Sequence, residues 1–215
     1  EPAYHIELNT MVRPQSNDAF SVFGGPHPTY TPGMIHDEYV DAICRGEGEI
    51  YFPLLIEKYS KNEDYFTTPN FWFKKKDGSI VKNGFGDLVE NLDTLPNPDR
   101  KLMYDADTQL SARGQKLFMS NRGCPYKCTY CFNHAYNKMT KGHGDMMRYR
   151  SVDSVIEEIR EVKDNYFLDR VNIDDDIFLL KPKGWLEEFA EKYPKEVGVP
   201  IPVSYTHLTL SLIHI

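Results

Sequence analysis

Three of the chain's four cysteines, Cys124, Cys128 and Cys131, fall within eight residues in the stretch RGCPYKCTYC (residues 122–131). Intervals of three and two residues let three thiolates converge on one small object from one side. A structural zinc takes four protein ligands in a closed tetrahedron. A [4Fe–4S] cluster held by three cysteines instead leaves one iron open to a further ligand. His134, three positions after Cys131, keeps a Cys3His zinc knuckle in play, a non-enzymatic interaction module. The loop follows a strand in an α/β context rather than standing in a small zinc-organised module, which favours the cluster. Disulfides among the trio would close tiny loops and leave one thiol over, so a reducing, cytoplasmic setting is expected. Cys44, alone in DAICRGEGE, reads as a small buried hydrophobe.

The elements around the cysteines follow from composition and pattern. The chain has 215 residues, 40% of them hydrophobic and 27% charged, which is the balance of a soluble globular protein. A formal charge of −7 argues against a general nucleic-acid binder. No apolar run approaches the roughly 18–20 residues that span a bilayer, and EPAYHIELNT has none of the regions of a signal peptide. FSVF (20–23) and DAIC (41–44) read as strands, and EIYFPLLIEKYS as a helix. FWFKKKDGSIVKNG reads as a hairpin turning at Asp77-Gly78. The prolines of LDTLPNPDR exclude a helix interior there.

KLFMS (116–120) is a strand that runs straight into the cysteine loop. Ser151 is the expected N-cap of a helix with an apolar stripe through Val152, Val155, Ile159 and Val162. RVNIDDDIF follows as a strand, GWLEEFAEKY as a helix and GVPIPVS as the start of a third strand. This order is a parallel β/α unit, whose chemistry gathers at the carboxyl ends of strands. The cysteine loop and the acidic run Asp174, Asp175 and Asp176 share that end.

CPYKCTYC resembles the C-x3-C-x-aromatic-C signature of radical S-adenosylmethionine (SAM) enzymes. GGPHPT, RGEGE, LDTLPNPDR, RGCPYKCTYC, RYRSVDSVIEEI and IDDDIF occur in the order of the cobalamin (B12)-binding members of that family, over about residues 24–180. The resemblance implies a [4Fe–4S] cluster on Cys124, Cys128 and Cys131, with SAM on the fourth iron. Reduction of the cluster then yields methionine and a 5′-deoxyadenosyl radical. It implies that Tyr130 packs near the adenine. Asp175 and Asp176 correspond to a D-D-x-F element beside SAM, where a carboxylate accepts from the ligand's ammonium; the bland alternative is a solvated acidic loop. Gly24 and Gly25 correspond to a pair whose bare backbone admits the nucleotide tail of cobalamin; alone they would be read as a turn. Arg148 and Arg150 either meet the SAM carboxylate or neutralise the loop. His27 and His143 receive no role.

The fold expected is α/β: the later part of a Rossmann-like cobalamin-binding domain (1–60), a connecting segment (61–115) and the first part of a radical SAM partial TIM barrel (116–204). Residues 205–215, YTHLTLSLIHI, have the character of a foreign or disordered tail. No D-x-H-x-x-G element supplies a histidine to cobalt, and the whole reads as a fragment. The function implied is cobalamin-dependent methyl transfer or related radical chemistry on a small-molecule or lipid-like substrate. Its electrons would come from an external donor such as flavodoxin or ferredoxin. The alternative within the superfamily is a tRNA-modifying methylthiotransferase, against which GGPHPT and the acidic balance count.

Overall fold

Helices and strands are interspersed along the chain. The computed structural model describes residues 2–16 and 19–202. In order its elements are α1 (Pro2–Val12), β1 (Val22–Phe23), α2 (Pro26–Tyr30), β2 (Ala42–Cys44), α3 (Tyr51–Ser60), β3 (Phe71–Lys74), β4 (Ile80–Lys82), α4 (Arg100–Ala106) and α5 (Thr108–Ala112). They continue with β5 (Gln115–Phe118), β6 (Asn121–Arg122), α6 (Asn133–Met139), β7 (Arg148–Tyr149), α7 (Val152–Asn165), β8 (Arg170–Ile173) and α8 (Trp185–Glu196). The chain divides into two compact units, Glu1–Glu90 with Cys128–Asp145, and Asn91–Lys127 with Met146–Ile215.

The first unit is organised by one four-stranded sheet in the order β1-β2-β3-β4. β1 and β2 are parallel, whereas β3 pairs antiparallel with both β2 and β4. Alternation along a strand sends successive side chains to opposite faces. Ala42 and Cys44 therefore pack with Phe71, Phe73 and Leu55 on one face. Ile43 goes to the other, with Met34, Ile35 and Val40. The hairpin turns at Asp77-Gly78 as expected: Gly78 has φ +81°, and the Asp77 carboxylate accepts the Ser79 N–H at 2.9 Å. It does not, however, belong to a connecting segment. Its aromatic alternation makes it the antiparallel half of this sheet, so residues 61–90 fold with the N-terminal part.

In the second unit β5 and β8 pair in parallel, from Gln115↔Arg170 to Phe118↔Ile173. α7 links them, and Ser151 caps it by accepting the Ser154 N–H. Val152, Val155, Ile156, Ile159 and Val162 pack with Phe118, Val171 and the α8 residues Trp185, Phe189 and Tyr193. The expected third strand does not form among the described residues. Val199 is buried and the Pro200 carbonyl accepts the Val171 N–H at 3.0 Å. Pro200 and Pro202 have no N–H to return, so a ladder cannot propagate. Among the described residues the strands form no closed barrel. Residues 205–215, expected to be a foreign tail, lie outside the described residues. No described helix is long and apolar enough to cross a membrane.

A buried ionic triad fastens α4 to α7. Glu158, with a side chain only 3% exposed, accepts from Arg100 at 2.7 Å and from Arg150. Arg100 also donates to the Leu117 carbonyl and Arg150 to the Met119 carbonyl, which ties the triad to β5 and the residue just beyond it. Removing the shared carboxylate would leave two guanidinium groups buried without their counter-charge. Glu158→Ala is therefore expected to destabilise the chain by about 3–5 kcal/mol. The measurement is the urea unfolding midpoint followed by circular dichroism.

Candidate functional site

The cysteine loop begins where β5 ends, and its entry is held by unusually complete hydrogen bonding. Ser120 and Asn121 donate their backbone N–H groups to Asp175 Oδ1 at 2.6 and 3.0 Å. The Ser120 hydroxyl donates to Asp175 Oδ2, which also accepts from Lys181 Nζ at 2.8 Å. The side chains of Asp175 and Lys181 have no exposed surface. Burial pushes the Lys181 ammonium below its ordinary pKa, and the Asp175 charge partly offsets that. The donors to Asp175 thus come from the entry of the loop and from Lys181.

Asp176 behaves differently. It is exposed, and its carboxylate accepts the Gly123 N–H at 3.2 Å, at the threshold of the cysteines. Asp174 is exposed and its N–H goes to the Phe118 carbonyl. Gly123 sits at φ +92°, and an added Cβ would stand 2.0 Å from the Met146 carbonyl oxygen. The glycine ahead of the first cysteine is thus a steric requirement of the turn.

Cys124 is buried, Cys131 half-buried and Cys128 exposed, and none of the four cysteines is in a disulfide. The Cys131 N–H donates to the Cys128 carbonyl at 3.0 Å, a tight turn that keeps this pair of residues close along the chain. Tyr130 is 88% exposed, with its ring available rather than packed in a core. His134 is exposed in the first turn of α6. Among the described residues no three His, Cys, Asp or Glu side chains are gathered as a metal site. The donor chemistry nevertheless suits a soft, thiolate-bound cluster.

Arg150 is committed to Glu158, to the Asn97 side chain at 3.1 Å and to the Ser154 hydroxyl. Its carbonyl accepts from the Trp185 indole at 2.8 Å. Arg148 is likewise buried, in β7 opposite Arg122 of β6.

In the first unit Gly24 and Gly25 follow β1, and Arg45 and Gly46 follow β2, at the same end of a parallel pair. Thr29 joins the two loops. Its hydroxyl donates to the Gly25 carbonyl at 2.7 Å and accepts the Gly46 N–H at 2.9 Å. Arg45 donates to the Thr29 carbonyl while lying over the rings of Trp72 and Phe85. Gly25 has φ +93°, with nothing within 4 Å of where a Cβ would stand, so its backbone is open to close approach. Gly24 is exposed and unstrained. Cys44 is the buried hydrophobe expected of it. Burial, helped by Glu49, pushes its thiol from 9.0 to about 11.

Sequence reasoning missed Lys181 and Thr29. A single lysine in FLLKPKG carries no periodic or motif signal; only the fold shows what surrounds it.

No family model matches the chain. It is 30% identical over 171 residues to the uncharacterized methyltransferase PH0819 of Pyrococcus horikoshii, covering 78% of this chain and 36% of that protein. It is 32% identical over 133 residues to the cobalamin-dependent radical SAM methyltransferase TokK of Streptomyces tokunonensis, covering 59% of this chain and 19% of that one. The fold matches a solved structure of the cobalamin-dependent S-adenosylmethionine radical enzyme OxsB with aqua-cobalamin and S-adenosylmethionine bound. There the TM-score is 0.69 at 18% identity, over 93% of this chain and 28% of that one. The chain thus spans little more than a third of these proteins at most.

Two outcomes are expected from this geometry. Gly123→Ala and Gly184→Ala both place a side chain at positive φ, but only Gly123 has no room for it. Gly184→Ala should lose about 1–2 kcal/mol of unfolding free energy from backbone strain alone, and Gly123→Ala clearly more, read from paired urea titrations. Cys44 should resist iodoacetamide at pH 8, reacting about a hundredfold more slowly than an unperturbed thiol on thiolate fraction, as peptide mapping would show. The fold keeps this proton longer than the unfolded chain does. Its stabilising contribution is present below pH 9.0 and is lost as pH rises through about 11.

Proposed function

We propose that this chain, a homologue of the cobalamin-dependent radical SAM methyltransferases, is part of an enzyme of that class. Cys124, Cys128 and Cys131 would hold a [4Fe–4S] cluster, and SAM would take the remaining iron. The observation that carries the reading is three thiols within eight residues, outside any disulfide, on a loop anchored at the carboxyl ends of a parallel strand pair. When bound, the cluster supplies the electron that cleaves SAM reductively, and cobalamin supplies a methyl carrier.

The chain's own residues do the positioning. Asp175 fixes the turn that leads to the first cysteine. Asp176, exposed and accepting the Gly123 N–H, would also accept from the SAM ammonium. The exposed Tyr130 ring offers a face to the adenine. In the first unit the open backbone at Gly25 would admit the nucleotide tail of cobalamin. Gathering the thiols is coupled to cluster binding, because metal ligands in a loop gain order from what they bind. The substrate would be a small molecule, with electrons from a flavodoxin or ferredoxin in the cytoplasm. The cobalamin reading is supported over a methylthiotransferase by GGPHPT and RGEGE, which build one linked loop pair.

Anaerobic reconstitution should give a brown protein with about four irons per chain, as a single [4Fe–4S] cluster requires. Alanine at Cys124, Cys128 or Cys131 should abolish the colour, and alanine at Cys44 should leave it. His134→Ala should leave iron content nearly unchanged; a large loss of bound metal, or zinc in place of iron, would establish the knuckle instead. Adding SAM to the reduced cluster should alter its electron paramagnetic resonance spectrum. Asp176→Asn should weaken that SAM response more than it weakens cluster assembly.

A further inference from the structure

Lys181 is a buried cation whose hydrogen-bond partners are the side chains of Asp175 and of Ser120, the latter at the cysteine loop's entry. Its Nζ donates to Asp175 Oδ2 at 2.8 Å and to the Ser120 hydroxyl oxygen at 2.6 Å. The rings of Tyr149, Phe178 and Trp185 surround it, with centroids 5.7, 5.2 and 4.8 Å from the nitrogen. Asp175 in turn collects the N–H groups of Ser120 and Asn121. The Asn121 side chain donates to the Ile177 carbonyl at 2.9 Å, adding a second tie between the same two loops.

A carboxylate without exposed surface stays ionised only with a counter-charge and a full set of donors. Lys181 is the counter-charge here. Without it Asp175 must either take up a proton, and so lose an acceptor for the turn, or move towards water. Protonation at Oδ2 ends its acceptance from the Ser120 hydroxyl, and movement towards water releases the Ser120 and Asn121 amides held on Oδ1. Gly123, three residues on from Ser120, is already limited to one narrow path by the Met146 carbonyl. The direction in which Cys124 leaves β5 is therefore set by the pair.

We propose that Lys181 is a positioning residue for the cluster: through Asp175 it fixes the turn that presents Cys124. This inference rests on the cluster reading above and adds to it a residue outside the cysteine motif. The aromatic cage has a matching task. It keeps water from the ammonium, so that the charge is directed onto Asp175 and Ser120 rather than being screened.

The test combines amide exchange with iron binding in the full chain. In Lys181→Met, exchange at the Ser120 and Asn121 amides should quicken at least tenfold while the α7 amides stay protected. Iron per chain after reconstitution should fall below half, and the remaining cluster should show a changed paramagnetic response to SAM. In the double variant Asp175→Asn with Lys181→Met the buried charge is gone, and the amide oxygen still accepts from the turn. Protection and iron should then recover to within about twofold of the parent. Unchanged exchange and iron in Lys181→Met would overturn the proposal, as would an equal loss of protection throughout α7 or a double variant no better than the single one. A parent protein that binds no iron would instead sink the cluster reading, and the exchange data would still decide whether the clasp exists.

Discussion

Parallel pairing of β5 with β8 in the register Phe118↔Ile173 is the constraint on which the rest of the second unit depends. It ends both strands at one level, so the residues after Phe118 and those after Ile173 emerge side by side. Ser120 and Asn121 then lie within hydrogen-bond reach of Asp175, and Gly123 within reach of Asp176. A slip of one residue would turn Phe118 and Val171 away from α7 and break the core that specifies the register. Apolar burial thus fixes the polar geometry: the aspartates meet the cysteine loop because Phe118 and Val171 are packed beneath them.

Two buried carboxylates are spent on that end of the sheet, and they act alike. Glu158 gathers Arg100 and Arg150, which hold the carbonyls of Leu117 and Met119; Asp175 gathers Lys181 and the amides of Ser120 and Asn121. Between them they hold the backbone from Leu117 to Asn121 almost residue by residue. Neither pair is a strong source of net stability, since desolvation offsets most of the attraction in a buried ion pair. What such pairs give is definition, because a displaced partner leaves a charge stranded.

The first unit reaches definition by smaller means. Thr29 bonds to Gly25 on one side and Gly46 on the other, so the loops after β1 and β2 are one structure. Among the described residues Arg45 is held by two rings, a carbonyl and the Met139 sulfur. A larger residue at Gly46 would be strained, because the backbone sits at φ +80° and a Cβ would stand 3.2 Å from the Phe85 ring. The motifs GGPHPT and RGEGE are therefore as much about locking two strand ends together as about exposing backbone at Gly25.

The sequence by itself determined the local elements and the chemistry of the loop. Period-two alternation in FWFK, the Asp77-Gly78 turn, the Ser151 cap and the apolar stripe of α7 are short-range features, and each formed where its pattern placed it. The cysteine spacing and the expectation that Cys44 is buried are of the same kind. Only the tertiary structure decided what each polar residue near the loop is for. Asp175 and Asp176 are adjacent and identical in type, yet one is sealed under Lys181 and the other is exposed. Nothing local in the sequence pairs Arg150 with Glu158, eight residues on; the fold buries the two together. The hairpin at residues 71–82 looked like linker because nothing local shows that β2 is its partner. Backbone propensity and side-chain periodicity are written over a few residues. Burial, ion pairing and strand partnership depend on groups brought together by the whole fold.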